Sequence, residues 1–223
     1  MQARLSAMVS GIPTEDLSIK MKSIGPLPYI VFTGTASVGK TTTVKAILPI
    51  LERVYDKPIA HIAEVARSLE KRGYKINREG NMQTQRLIED EYLRLEEENV
   101  DKIKIADRSI IDRYSYTILS IGDTKEDPDK QKLLSWYDSN IVEHCRKYSH
   151  IFHIPLTDDV KLELDGIRSP DETYRTEIAD LQQDIISSYG IKVYPLVGPT
   201  EKRLSTILSI LEPTYGFSFR TAN

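Results

Sequence analysis

The sequence predicts a three-layer, doubly wound α/β fold, a parallel sheet with helices on both faces, and three observations predict it. Short apolar runs bounded by glycine or proline alternate with charged segments of helical period along the chain. A glycine-rich turn, GTASVGKT at residues 34–41, joins the first apolar run to the first helical segment. At 223 residues and 40% hydrophobic content, the chain can bury one such core, and a second domain is not expected.

Each element can be justified in order. Residues 29–33 (YIVFT) form an unbroken apolar run after Pro28, the pattern of a strand buried on both faces. A helix follows from Lys40, and Pro49 is expected to kink it or to end its first segment. Residues 58–63 (PIAHIA) read as a second strand, and 64–73 as a short helix closed by Gly73. Residues 81–99 are strongly helical, with Met82, Leu87, Leu93 and Leu95 scattered among charges. Residues 102–107 (KIKIAD) alternate polar and apolar, and the period then turns helical in DRSIIDRYSYTILS. A helix over 129–148 and a strand over 150–155 follow. A charged loop at about 157–173 leads to a helix over 174–189, a strand over 191–197 and a last helix over 201–212.

Composition narrows the function. A net charge of −3 and a pI near 5.9 give no global basic field, which disfavours gripping a long nucleic acid by its phosphates. Cys145 is the one cysteine, so an internal disulfide is excluded and a reducing, cytoplasmic setting is expected. In its amphipathic surroundings, IVEHCRKY, it reads as an inert, partly buried thiol. No apolar run reaches the ~20 residues that span a bilayer, so no membrane partner is expected. The first residues lack the apolar core of a secretion signal and are expected to form an extension over 1–27, with a tail at 213–223.

Gly34, Gly39, Lys40 and Thr41 carry the spacing G-x-x-x-x-G-K-[ST] between a strand and a helix, the context this phosphate loop requires. Successive backbone N–H groups of Gly34, Thr35, Ala36, Ser37, Val38, Gly39, Lys40, Thr41 and Thr42, with the helix amino terminus, suit the anionic phosphates of ATP. Lys40 reaches the β- and γ-phosphates, and the Thr41 hydroxyl holds Mg²⁺. Asp107, at the carboxyl end of its strand, is placed to hold the same ion; the plainer role is a helix amino cap. The third strand ends in Asp107-Arg108-Ser109, where large mechanical ATPases carry adjacent acids. The branch of GTP switches is set aside on the reading that their guanine-reading Asn/Thr-Lys-x-Asp tetrapeptide is missing, in favour of an enzyme with a second, polar or anionic substrate.

DRSIIDRYSYT resembles the Asp/Glu-Arg-Ser segment of deoxynucleoside kinases and the Asp-Arg segment of thymidylate kinases. The layout also resembles the nicotinamide riboside kinase domain of bifunctional bacterial NAD regulators. The matching pieces are GTASVGKTT, AEVAR after the second strand, the Asp107 segment, LDGIRS after the fourth strand, and a helix followed by YGIKVYPL, together covering roughly 28–212. This resemblance implies a P-loop NTPase fold of the nucleoside- and nucleotide-kinase kind. It also implies that Glu64 meets the hydroxyl being phosphorylated, as general base or hydrogen-bond acceptor.

Arg67 lies one helical turn beyond Glu64 and is expected to face the same pocket; the plainer reading of the two is an exposed ion pair worth ~0.2–0.5 kcal/mol. Arg108 is expected to contact the acceptor, because a guanidinium offers fixed bidentate donors, whereas Arg113 points roughly 140° away and is read as structural. The charged segment over about 157–175 has the composition of a lid, from which Arg168 would reach the transferring phosphoryl group, with Arg175 behind it. His150 and His153 fall on opposite faces of one strand and share no metal site. Tyr74, Gln83, Gln85 and Tyr92 are offered for the acceptor pocket, with a role in the core or on the surface as the equal alternative.

The leading expectation is therefore an ATP- and Mg²⁺-dependent kinase acting on a nucleoside-like or nucleotide small molecule. Two alternatives stay open: a polynucleotide or modified-base kinase, and a nucleotide-binding regulatory module. A homodimer is compatible with each.

Overall fold

Alternate residues of β1 (Tyr29–Thr33) point into two different cores. Tyr29 and Val31 pack in one cluster and Ile30 and Phe32 in another, and all of the strand is buried. A central strand of a parallel sheet must satisfy both faces, which explains the unbroken apolar run.

The computed structural model describes residues 27–55, 57–122, 124–157 and 172–215. After β1 come α1 (Lys40–Val54), β2 (Ile59–Ile62), α2 (Val65–Lys71), a 3₁₀ turn (Asn77–Glu79), α3 (Met82–Glu98) and β3 (Ile103–Asp107). Then follow α4 (Ile110–Ile121), α5 (Pro128–Arg146), β4 (His150–His153), α6 (Glu172–Ser188), β5 (Tyr194–Pro195) and α7 (Thr200–Tyr215). The strands pair in the order β2-β3-β1-β4-β5, every pair parallel. Helices α1 and α7 cover one face through Ile47, Leu51, Ile207 and Leu211, while α2 to α6 cover the other. Each such fully buried aliphatic side chain contributes roughly 1.5–3 kcal/mol.

Two expectations change, and that for Pro49 narrows. Pro49 does not end α1, which runs through it. It stands on the solvent side with Lys45, so the Lys45 carbonyl that loses its helical partner faces water. Pro213 likewise sits exposed inside α7, which extends to Tyr215. The strand expected over 191–197 pairs only at Tyr194–Pro195, because Pro195 has no N–H to extend the ladder; Leu196 adds one bond to the His153 carbonyl at 2.7 Å. The expected extension up to residue 26, residues 158–171 of the expected lid with Arg168, and residues 216–223 lie outside the described residues.

The topology positions the chemistry. Because β1 lies between β3 and β4, Phe32 and Asp107 are in register at the carboxyl ends of neighbouring strands. The β1–α1 turn and the β3–α4 turn therefore open onto one crevice, where ligands of open α/β sheets bind.

Candidate phosphate and acceptor site

The first wall of the crevice is the glycine-rich turn. Gly34 has φ +145°, and a β-carbon there would lie 2.4 Å from the Ile154 carbonyl oxygen, so no other residue fits. Gly39, at φ +88°, caps α1 and turns its amino terminus into the crevice. Lys40 is buried, and its Nζ donates to the carbonyls of Gly34 at 2.5 Å and Thr35 at 2.6 Å, which places the ammonium over the loop. The Thr41 hydroxyl donates to Asp107 Oδ2, and Asp107 is buried at the end of β3. A hydroxyl and a carboxylate are the hard oxygen donors that Mg²⁺ prefers, so this pair fits the ion the motif implies.

Three buried side chains from three helices brace this loop from behind. Asp112 Oδ1 accepts the Gly34 N–H at 3.2 Å, Arg175 Nε donates to the Ala36 carbonyl at 3.1 Å, and Arg203 Nη1 donates to the Val38 carbonyl at 2.7 Å. Arg175 thus differs from its expected place as a substrate contact. Its side chain is 2% exposed, pairs with Glu172 at 3.0 Å, and serves the loop backbone, because α6 packs against α4 behind the loop.

The second wall comes from α2, the 3₁₀ turn, α3 and the β3–α4 turn: Glu64, Ala66, Arg67, Asn77, Tyr92 and Arg108 line the same crevice as Lys40 and Thr41. Arg67 Nη1 donates to both oxygens of Glu64, at 2.8 and 2.9 Å, so the ion pair and the crevice position coexist. Arg108 lies with its guanidinium 4.7 Å from the centre of the Tyr116 ring. Among the described residues, four non-glycine positions have positive φ: Ser37, Glu64, Asn77 and Arg108. All four line this crevice. Such conformations cost about 1–3 kcal/mol each, so backbone strain is concentrated at the wall surfaces.

The crevice continues inward past Gln85, Ile88 and Tyr116. Of the residues offered for the acceptor pocket, Tyr92 and Gln85 line it, whereas Tyr74 and Gln83 do not. Asn77 and Asp112 went unmentioned in the sequence reading. Asp112 did carry a signal there, since Ser109-x-x-Asp112 is a capping-box pattern, and the structure forms that box. Arg203 had none, because its bond to Val38 spans 165 residues.

Behind Tyr92 lies a different arrangement. Arg113 is buried, donates to Glu89 at 2.8 Å, stands 3.6 Å from Glu96, and lies 4.5 Å from the centre of the Tyr92 ring. Tyr137 donates to Glu89, Tyr29 donates to Glu96, and His144 Nε2 lies 3.2 Å from the Glu96 carboxylate. Burial alone would raise the Glu96 pKa, yet the His144 hydrogen bond and the Arg113 charge hold it below its ordinary value. Burial pushes the Cys145 thiol up to about 12, which keeps it protonated and unreactive.

A Thr-Lys-x-Asp tetrapeptide does occur, at 124–127, which corrects the reading that set it aside. It follows α4 rather than a strand, and Asp127 spends its carboxylate on the Asp129 and Lys130 N–H groups, both at 3.1 Å, capping α5. None of its residues lines the crevice.

The family model described as AAA domain matches residues 29–203, from the first strand to the arginine that braces the phosphate loop. The chain belongs to the AAA domain family. No curated protein matches this AAA domain by sequence. Solved structures match in fold: a NadR protein in complex with NAD and AMP-PNP is 19% identical with a TM-score of 0.65, covering 88% of this chain and 52% of that one. A NadR protein in complex with NR is 16% identical with a TM-score of 0.67 over the same shares, 88% and 52%. Thymidylate kinase from Ehrlichia chaffeensis is 14% identical with a TM-score of 0.55, covering 84% of this chain and 100% of that one. The AAA domain chain spans about half the length of the NadR structures it matches. These neighbours match the resemblance read from the motifs, and at such identities the likeness establishes the fold. Among the described residues no helix is long and apolar enough to cross a membrane.

Proposed function

We propose that this AAA domain protein is an ATP- and Mg²⁺-dependent kinase that transfers the γ-phosphate to a hydroxyl of a nucleoside-like or nucleotide small molecule. The observation that carries the reading is one crevice with two chemically different walls. A nucleotide switch needs only the loop wall. Glu64, Arg67, Asn77, Tyr92 and Arg108 form a second wall facing the place where the terminal phosphate would lie. Phosphoryl transfer asks chiefly for in-line positioning and neutralisation of charge.

In this reading Lys40 neutralises the donor phosphates, and Thr41 with Asp107 holds Mg²⁺, which draws charge from the transferring oxygens. Glu64 accepts the hydroxyl proton, Arg67 fixes the orientation of Glu64, and Arg108 contacts the acceptor. Because Arg67 is already paired with Glu64, Arg108 is the arginine left to meet an acceptor anion, which favours a nucleoside or ribosyl acceptor over a monophosphate. Neighbours whose structures hold AMP-PNP or NR support the same assignment of donor and acceptor. A coupled-enzyme screen of nucleosides, nicotinamide riboside and nucleoside monophosphates tests it. The expected result is acceptor-dependent ADP release that Glu64→Gln lowers by about 10²-fold while AMP-PNP binding persists. Release unaffected by every acceptor, with tight nucleotide binding, would instead support a regulatory module.

A further inference from the structure

We propose that Asp112 is a positioning residue that couples the two walls, so that occupancy of the phosphate loop is transmitted to the Arg108 segment and back. The inference rests on the reading that the loop holds the donor and the Arg108 wall faces the acceptor. Asp112 is fully buried in the first turn of α4, and its two oxygens together reach both walls. Oδ2 accepts the Ser109 backbone N–H at 2.8 Å and the Ser109 hydroxyl at 3.1 Å. Oδ1 accepts the Gly34 N–H at 3.2 Å and the Gln182 amide at 3.3 Å, and lies 3.9 Å from Arg108 Nη1.

Asp112 therefore fixes the residue that opens the phosphate loop and the residue that follows Arg108. Gly34 and Arg108 are both points of conformational constraint. Gly34 admits no β-carbon, and Arg108 is held at φ +135°, a conformation that persists only where its surroundings impose it. Any movement of the Gly34 amide as phosphate enters the loop changes its bond to Oδ1. The carboxylate is rigid and has no exposed surface on which to readjust, so Oδ2 shifts with it and carries Ser109 and Arg108 along. Linkage makes the effect reciprocal: an acceptor that draws on Arg108 tightens the loop for nucleotide. A plain helix cap needs only the Ser109 contacts; the Gly34 bond lies outside that role.

Hydrogen exchange measured with and without AMP-PNP and Mg²⁺ tests this without an identified acceptor. In the wild-type protein, nucleotide should slow exchange both in 33–43 and in 108–113, the second by about fivefold or more, the lower range of ordinary coupling. Asp112→Asn keeps the shape of the side chain and one acceptor oxygen, but presents an N–H₂ to one set of donors. It should melt cooperatively, retain nucleotide protection in 33–43 and lose it in 108–113. Gln182→Ala, which removes a neighbour and leaves both links, should retain both protections. Persistence of the 108–113 response in Asp112→Asn, its absence in the wild type, or its equal loss in Gln182→Ala would overturn the coupling role. No protection in 33–43 of the wild type would remove the donor reading and this inference together, a pattern distinct from the others.

Discussion

Arg108 and Arg113 stand five residues apart at the start of α4 and end in opposite surroundings. Arg108 lines the crevice on a strained backbone, with an aromatic ring beside it and a carboxylate no closer than 3.9 Å. Arg113 is enclosed by Glu89, Glu96, His144 and Tyr92, in a network whose members come from β1, α3, α4 and α5. Tyr92 stands between the two, lining the crevice and lying against the Arg113 guanidinium, which reaches only the crevice's inner end. Charge that meets its counter-charge inside the protein fixes helices against the sheet. Charge left facing a cleft, on a backbone that costs energy to hold, is poised for a ligand.

The largest expected effect comes from breaking the enclosed region. Arg113→Ala leaves two buried carboxylates without their cation and should cost about 3–5 kcal/mol in urea unfolding. The open region should respond the other way: Lys40→Ala should lower turnover by about 10²–10³, the scale for losing one charge-stabilising donor, with a melting temperature close to wild type. Glu64→Gln should cost about 10²-fold in transfer, the lower end for a general base, and leave AMP-PNP affinity nearly unchanged.

The two regions also differ in how far the sequence declared them. The phosphate loop was legible to the residue, because glycine at fixed spacing, a lysine and a threonine are imposed by backbone geometry and phosphate charge. All seven expected helices and the succession of strands along the chain followed from period and its punctuation, whereas the order β2-β3-β1-β4-β5 across the sheet was not read from it. Glu64, Arg67 and Arg108 were reachable as polar residues at strand ends. Asn77 and the Arg203 brace were not, since they depend on a 3₁₀ turn and on a contact between distant helices that no local pattern announces. The Arg113 cluster was legible only as an arginine expected to turn away from the acceptor; its partners are scattered over two helices and a strand.

A smaller effect separates the regions by pH. The folded protein holds Glu96 below its ordinary value of 4.5, so its ionised form contributes stability that is complete above 4.5 and disappears as pH falls through the lower folded value. Glu96→Gln should therefore flatten the acid limb of the stability profile below pH 4.5, while the pH dependence of nucleotide binding is unchanged. An acid limb identical in both proteins would place the titrating carboxylate elsewhere.

The claim that one crevice joins a phosphate donor to a hydroxyl acceptor is tested most directly by product identification. The wild-type protein, incubated with ATP labelled at the γ-phosphate, Mg²⁺ and a panel of nucleosides including nicotinamide riboside, should transfer label to an acceptor hydroxyl. Lys40→Ala should transfer about 10²–10³-fold less. Label recovered only as inorganic phosphate with every acceptor, or transfer undiminished in Lys40→Ala, would contradict the account.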